Sequence, residues 1–524
     1  MVLEADVIVI GGGSTGTGIA RDLGLRGLSC LVLEKSDLAS GATGACQGLL
    51  HSGCRYVVSD PPSAKECYQE NRILREIAAS CVEETEGLFV SLPEDGLEYQ
   101  ERFISACGAV GIPVERLSPE EALALEPSLS GELIGAVRVP DGSINPFTLA
   151  AENARAAQIH GGTIITHARV DSLLAEGGRV RGVRGTHVRT GEVFEAFSGF
   201  VINAAGAWAG QVVRSLGLSI PLVYSKGSIL VTSRRLTETV VNRCRPPSDG
   251  DIIVPNETTG LIGTTSIQVE DLDRLTVEPD EVRLLLEETA RMIPSVGLAR
   301  LIRAYAGVRP LFMQAGVKND RQVSRGFVVI DHEEEQGVRG LLSIVGGKMA
   351  TYRLMAEKAV DAACEKLGVT ASCATHLEPL PGSRKHGFVS LAERLRKTSP
   401  EERKDPGKDL ILCECELVTR REIEKAVIED GASDLNDIRM LTRMGTGPCQ
   451  GAFCAYRSLG TLLEAGGAGE GFPDEMLKDF LERRWKGVRP VVEGDQLREE
   501  QVAEEIYIGI FGLEKKGPAR LSGR

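Results

Sequence analysis

The stretch DVIVIGGGSTGTGIARDLGLRGLSCLVLEK, Asp6 to Lys35, decides the fold. Asp6–Ile10 is rich in β-branched residues, as suits a strand buried on both faces of a parallel sheet. Gly11, Gly13 and Gly16 then fit G-x-G-x-x-G, and Ile19, Leu23 and Leu25 follow at near-helical spacing. A second strand, Ser29–Leu33, ends at Glu34. Glycines let backbone approach a pyrophosphate, the new helix offers unpaired N–H groups, and an acid after the second strand can hold ribose hydroxyls. The glycine spacing alone is weak. Its weight comes from the order strand, loop, helix, strand, acid; the competing reading is an ordinary tight strand-to-helix turn.

Two later segments repeat the theme. FVINAAGAWAG (Phe200–Gly210) is an apolar strand running into small residues, and LLSIVGGKMATYRLMAEKAVDAAC (Leu341–Cys364) is a strand, a Gly-Gly turn and a long helix. Three glycine-turn elements so far apart suit an extended FAD better than NAD, which stays as the alternative. The cofactor-binding candidates are Gly11, Gly13, Ser14, Gly16, Glu34 and Lys35, then Ser40, Thr43 and Gly48 around the GATGACQG loop, then Ala205, Gly206 and Gly347.

At 524 residues the chain is too long for one simple core. Residues 1–380 read as one interleaved α/β unit, with strands near 162–166, 251–254, 261–264 and 327–330 and a capping box at Ser118–Glu121. Residues 381–408 are polar and charged and read as a linker with one short helix around Leu391–Leu395. Residues 409–460 form a compact unit, with a capping box at Thr419–Glu422 and a helix over Asp434–Arg443. Residues 461–524 alternate acidic helical pieces with WKGVRP and read as a C-terminal tail; the pattern does not give its role, and partner binding is left open. The predicted fold class is a two-domain α/β oxidoreductase, with a Rossmann-like FAD domain, an interleaved antiparallel-sheet substrate domain and a small C-terminal helical module.

The net charge of −14 argues against a broad nucleic-acid surface, and an anionic substrate would need a local basic pocket. The charge-free stretch Ala196–Val213 holds Asn203, Gln211 and several glycines, so it reads as a buried strand and turn. No secretory signal is visible. A cytoplasmic protein is expected, with peripheral attachment to the membrane through a partner left open.

Thirteen cysteines without a framework argue against structural disulfides. Four have a spacing that needs explaining: Cys413 and Cys415 as C-x-C, then Cys449 and Cys454 as C-x4-C within GTGPCQGAFC. Thiolates select zinc or iron–sulfur. C-x-C is tight for structural zinc, and the glycines can present N–H groups to cluster sulfurs, so iron–sulfur is favoured over zinc and over four incidental core cysteines. A flavin takes two electrons and a cluster passes one at a time, so the pair reads as a wire to a protein acceptor.

IGGGSTGTGIARDLGLRGL, GATGACQGLLHSGCRY, VPDGSINPFTLAAEN, FVINAAGAWA, YAGVRPL, SRGFVVIDH, GGKMATYRLMAEKA, the cysteine module and RWKGVRP together resemble the FAD-dependent glycerol-3-phosphate dehydrogenases, most closely the catalytic A subunits of the anaerobic branch. The cysteine module is similar to the bacterioferritin-associated ferredoxin type, which binds a 2Fe–2S cluster and is lacking in the aerobic branch. Cys54 stands where relatives usually carry Leu or Ala. The resemblance implies oxidation of sn-glycerol 3-phosphate to dihydroxyacetone phosphate. It also implies companion subunits, including a membrane-associated iron–sulfur subunit that relays electrons to quinone. It places Arg55, Arg309, Arg325 and Lys348 around the phosphate and substrate oxygens, where arginine forks suit a dianion. Tyr56 would add a hydroxyl, and Arg309 and Lys348 are counted with the catalytic set. Removing the substrate's hydroxyl proton calls for a neutral imidazole. His51, four residues before Arg55, is the candidate base and His332 a weaker one; for each of these residues a structural role is the competing reading. Two rivals stand beside this function: an amine or amino-acid dehydrogenase of the same fold, and a non-enzymatic redox sensor.

Overall fold

The computed structural model describes residues 2–313, 326–397, 409–467 and 473–513. They form two compact units. The first comprises Met1–Leu230, Arg234–Ala299 and Tyr305–Ser390; the second comprises Val231–Ser233, Arg300–Ala304 and Leu391–Arg524.

The first unit is built on two large sheets. In the eight-stranded sheet the opening strand Val2–Ile10 lies between Cys30–Leu33 and Val193–Asn203, parallel to both, so that Val9 faces Val32 on one side and Ile202 on the other. Thr163–Ile165 adds a further parallel strand at one edge, and Leu341–Gly346 runs parallel to Val193–Asn203. Val7–Ile10 are buried, as the unbroken apolar run requires of a strand covered on both faces. Helices Ser14–Leu25 and Tyr352–Leu367 close one face through Ile19, Leu23, Met355 and Ala359, which share a core with Val9, Val32 and Ile202. The opposite face packs Ile8, Leu31 and Val201 with Val183, Val213 and Ile220.

The nine-stranded sheet is assembled from excursions between those visits. Its path runs Ile267–Gln268, Leu222–Thr232, Thr259–Gly263, Ile252–Asn256, Val240–Arg243, Gly87–Ser91, Gly135–Val139 and Glu115–Leu117, with Leu301–Phe312 beside Leu222–Thr232. It is mixed rather than purely antiparallel. Val240–Arg243 pairs parallel with Gly87–Ser91 because those two strands come from separate excursions and are not joined by a hairpin. The four strand-like runs read from sequence are strands Thr163–Ile165, Ile252–Asn256, Thr259–Gly263 and Phe327–Asp331. A small sheet of Leu49–Leu50, Gly142–Ile144 and Val82–Glu83 sets the segment after Leu50 beside the PDGSIN turn.

The second unit is helical, with one hairpin of Ile411–Cys413 and Val418–Thr419. Both halves of the capping box at Thr419 and Glu422 are made, starting helix Arg420–Ile428. The Asp434 carboxylate accepts from the amides of Asn436 and Asp437 and starts helix Leu435–Thr442. The segment read as a tail supplies part of this unit's core: Leu477, Phe480, Leu481 and Trp485, on helix Pro473–Val488, are buried with Leu412, Ile423, Leu435 and Leu459. Its apolar residues recur at helical spacing between charges, so burying them needs a partner surface, and the cysteine unit provides it. Among the described residues no helix is long and apolar enough to cross a membrane.

Candidate active site and cluster site

The glycine loop makes a backbone cradle. Gly11 has φ +109°, and a Cβ there would lie 2.6 Å from the Ala204 carbonyl oxygen; at Gly16 it would lie 1.9 Å from the Gly11 carbonyl oxygen. Only hydrogen fits at either position. The helix that follows has Gly13 as its N-cap with no side-chain cap of its own, so the first-turn amides other than those of Ser14 and Thr17 face an anion's place. The Ser14 amide donates to Thr43 Oγ1 at 3.0 Å, drawing the GATGACQG loop over the same end. Glu34 accepts from the amides of Gly12 (2.7 Å) and Ser36 (2.8 Å), and burial raises its carboxyl pKa. These features fit a dinucleotide pyrophosphate with an acid at the ribose. Ala205 lies against Gly11. Gly347, with φ +77°, packs on Met355, whose sulfur takes the Thr15 hydroxyl at 3.9 Å. Gly206 and Gly48 are left-handed turn residues, at φ +56° and +64°. The Lys35 ammonium sits 3.6 Å from the centroid of the Trp208 ring and 3.8 Å from Asp273, and Ser40 is exposed.

A second cluster forms where the short strand Leu49–Leu50 ends. His51 and Tyr56 have ring centroids 5.5 Å apart, and the Lys348 ammonium lies 5.2 Å from the Tyr56 ring. Arg55 donates to the Ser248 carbonyl (3.2 Å) and pairs with Asp251 (3.3 Å). The half-buried His51 imidazole has its pKa pushed down to about 3, by desolvation first and then by the positive charges of Arg55 and Lys348. It is therefore neutral near pH 7. Ser52 fixes the turn by giving both its amide (2.7 Å) and its hydroxyl (2.6 Å) to the buried Asp141.

Arg309 has a separate set of contacts. Its Nη1 reaches Ser225 Oγ (3.4 Å) and the Thr265 carbonyl (3.2 Å), and its Nη2 donates to Thr264 Oγ1. A Cβ at Gly227 would lie 2.3 Å from Nη2, so that glycine makes room for the guanidinium. Behind it, Glu281 accepts from Lys226 (2.7 Å), Ser228 (2.7 Å) and the Thr265 hydroxyl (2.8 Å), which sets the Thr265 carbonyl that Arg309 uses. Sequence reasoning missed Glu281, Thr265, Asp141 and Asp251. Asp141 lies inside the VPDGSIN motif, a signal left unused; the others show none before folding. His332 is bound on both ring nitrogens, to Gln336 (2.6 Å) and Ser343 (2.8 Å), and is fully buried: a structural residue. Arg325 lies outside the described residues.

In the second unit the four cysteines converge. The sulfurs of Cys413 and Cys415 are 3.9 Å apart and those of Cys415 and Cys449 3.8 Å; Cys454, whose thiol donates to Met444 Sδ at 3.3 Å, is near enough to Cys413 and Cys449 to shift their titration and be shifted by them. The Cys413 thiol is pulled down to about 3 by hydrogen bonds with Cys415 and Cys454, with help from the backbone at Gly445 and Glu416. Cys449 is lowered by Cys415 and Cys454, helped by the backbone at Phe453 and Gly451, while the same thiol contacts raise Cys415 and Cys454. A Cβ at Gly447 would lie 2.7 Å from Cys415 Sγ, so the loop closes on the sulfur only with glycine there. Four convergent thiols met by backbone N–H groups fit an iron–sulfur cluster.

The family model described as FAD dependent oxidoreductase matches residues 6–353, and a BFD-like [2Fe-2S] binding domain matches residues 411–459. The sequence is 44% identical over 530 residues to the A subunit of the anaerobic glycerol-3-phosphate dehydrogenase of Escherichia coli (strain K12), covering 98% of each chain. The chain belongs to the family of anaerobic glycerol-3-phosphate dehydrogenase A subunits. The A1 subunit from Haloferax volcanii is 45% identical over 525 residues, covering 95% of this chain and 89% of that one. Among solved structures, a Bacillus halodurans glycerol-3-phosphate dehydrogenase complexed with FAD superposes with a TM-score of 0.65 at 20% identity, covering 94% of this chain and 96% of that one. Glycine oxidase from Geobacillus kaustophilus reaches 0.57 at 23% identity, over 73% of this chain and 99% of that one. At such identities these two show the fold. The chain is thus an FAD-dependent oxidoreductase enzyme with a 2Fe–2S domain, and the expectations of FAD over NAD and of iron–sulfur over zinc hold.

Proposed function

We propose that the chain oxidises sn-glycerol 3-phosphate to dihydroxyacetone phosphate and delivers the electrons to companion subunits, among them a membrane-associated iron–sulfur subunit, and through them to quinone. The observation that carries this is His51, kept neutral beside Arg55, Tyr56 and Lys348. Bound FAD would supply the hydride acceptor and the 2Fe–2S cluster a one-electron carrier. The cradle from Gly11 to Gly16, with Glu34 and Thr43, would hold the dinucleotide, and Cys413, Cys415, Cys449 and Cys454 the cluster. Residues 381–408 would link the two parts.

The chain's own residues have definable tasks. Arg309 and Lys348, with Arg55 and Arg325, would take the phosphate dianion and orient the carbinol. A ring nitrogen of His51 would accept the hydroxyl proton as the carbinol C–H bond gives up its hydride. At a pKa of about 3 the imidazole is a weak base; burial is the largest cause, and the cations Arg55 and Lys348 add to it. A bound dianion offsets those charges and raises the pKa, so the base strengthens when substrate arrives. Peripheral membrane attachment would then come from the companion subunits.

Anaerobic titration of the FAD- and iron-loaded protein tests the reading. sn-Glycerol 3-phosphate should bleach the flavin. Bleaching by sarcosine or proline with none by glycerol 3-phosphate would establish the amine-dehydrogenase rival, and no fast bleaching by any of them would leave the redox sensor.

A further inference from the structure

The closing helix of the second unit, Gly494–Phe511, is apolar on two faces. One face packs: Tyr507, Ile508 and Phe511 lie against the unit's core, Tyr507 Oη donates to the Ala452 carbonyl, and Phe511 stacks on Tyr456 with centroids 4.9 Å apart. Ion pairs Arg484–Glu500 and Arg489–Glu504 hold the same side. The other face carries Val502, Ile506 and Ile510 at four-residue spacing, 59%, 50% and 71% exposed. Ala452 belongs to the loop between Cys449 and Cys454. Phe453 and Tyr456, which flank Cys454, are themselves 72% and 59% exposed, Tyr456 at the edge of the packed face where it meets Phe511. A helix with one face packed and a second aliphatic stripe open, beside aromatic residues at a ligand loop, is built for a partner.

We infer that Val502, Ile506 and Ile510, with Phe453 and Tyr456, form the docking surface for the redox subunit that takes electrons from the cluster. This rests on the electron-delivery reading above. The charges select the occupant. The exposed carboxylates of this helix's outer side are Glu499 and Glu505, with Asp495 paired to Arg498. An anionic lipid surface is repelled by them, and so is a second copy of a chain of net charge −14. The matching partner presents an apolar patch rimmed with Lys and Arg. The location beside the cysteine loop shortens the electron's path from the cluster into that partner.

The test uses the full holoenzyme, reduced either by substrate or by dithionite, with membranes of the source organism as acceptor. Ile506→Glu with Ile510→Glu should lower electron delivery to the membranes at least tenfold while FAD content and the cluster's EPR signal stay as in the wild type. Delivery by Glu499→Lys with Glu505→Lys should also fall, because a basic rim would now meet added positive charge. A photo-crosslinking residue at position 506 should join the chain to a different, iron-containing polypeptide through a Lys- or Arg-rich peptide. Unchanged delivery by the Ile506→Glu/Ile510→Glu protein overturns the proposal. So does a crosslink to a second copy with a dimer in solution, or binding to phosphatidylglycerol vesicles that the double variant loses. Dithionite-reduced enzyme keeps these outcomes separate from the substrate question: failure of glycerol 3-phosphate to bleach the flavin sinks the substrate reading alone.

Discussion

The two cofactor sites solve one problem with opposite materials. In the first unit the cradle is backbone: Gly11, Gly13 and Gly16 remove side chains, so that amides and a helix terminus would do the binding. In the second the binding groups would be four side-chain thiols, and glycine lets backbone close on them, as at Gly447, and reach them with N–H groups, as at Gly445 and Gly451. A pyrophosphate is a diffuse anion that many weak N–H donors satisfy, whereas a cluster needs four soft ligands covalently attached to iron. The cradle should therefore be sensitive to added atoms and the cluster site to lost ones.

Gly16→Ala should break the first half of that contrast most severely. A methyl group 1.9 Å from the Gly11 oxygen forces the loop apart. FAD should be lost on purification, read by flavin absorbance, while the cluster's EPR signal survives in the second unit. If Gly16→Ala retains full FAD, the cradle is not built by exclusion.

Cys449→Ser is the complementary break. The serine hydroxyl is harder and far less acidic than a thiol. Cluster absorbance should vanish with FAD content unchanged, anaerobic bleaching by substrate should persist in a single turnover, and electron delivery to membranes should fall sharply. Intact delivery without a cluster would put the cluster off the path.

Arg309→Ala sharpens the picture inside the first unit, where cations rather than amides would meet the substrate. Loss of a charge-assisted pair costs about 1.5–3 kcal/mol, roughly ten- to a hundredfold in affinity for glycerol 3-phosphate, with FAD content normal. Equal affinity in the variant, measured by flavin bleaching, would remove Arg309 from the site.

The last test concerns proton uptake. His51 titrates near 6.5 when unfolded and near 3 when folded. The unfolded chain then binds the extra proton between those values, so the stability contributed at high pH is lost as pH falls from about 6.5 towards 3. His51→Gln should flatten the decline of Tm with falling pH, as scanning calorimetry would record. An identical slope would mean that the imidazole is solvated in the native state.

Much of this molecule was legible in its residues because the relevant physics is local. The strand, glycine loop and helix from Asp6 to Leu25 depend on neighbours a few positions apart, as do the capping boxes at Ser118 and Thr419. The four cysteines were legible as a set because thiols in glycine-rich turns have few other uses. The family motifs pointed to His51, Arg55, Tyr56 and Lys348 as a group, and the fold sets them beside one another. Tertiary structure alone decided the rest. Glu281, on helix Pro279–Met292, reaches Arg309 through Thr265, which lies 44 positions before that arginine, and Asp251 pairs with Arg55 over 196 positions. Whether residues after 460 form a loose tail or part of a core turned on Phe480 and Trp485 finding Ile423 and Leu435. Hydrophobic periodicity announces that a face will be buried, but it carries no address; the partner surface exists only once the chain has folded.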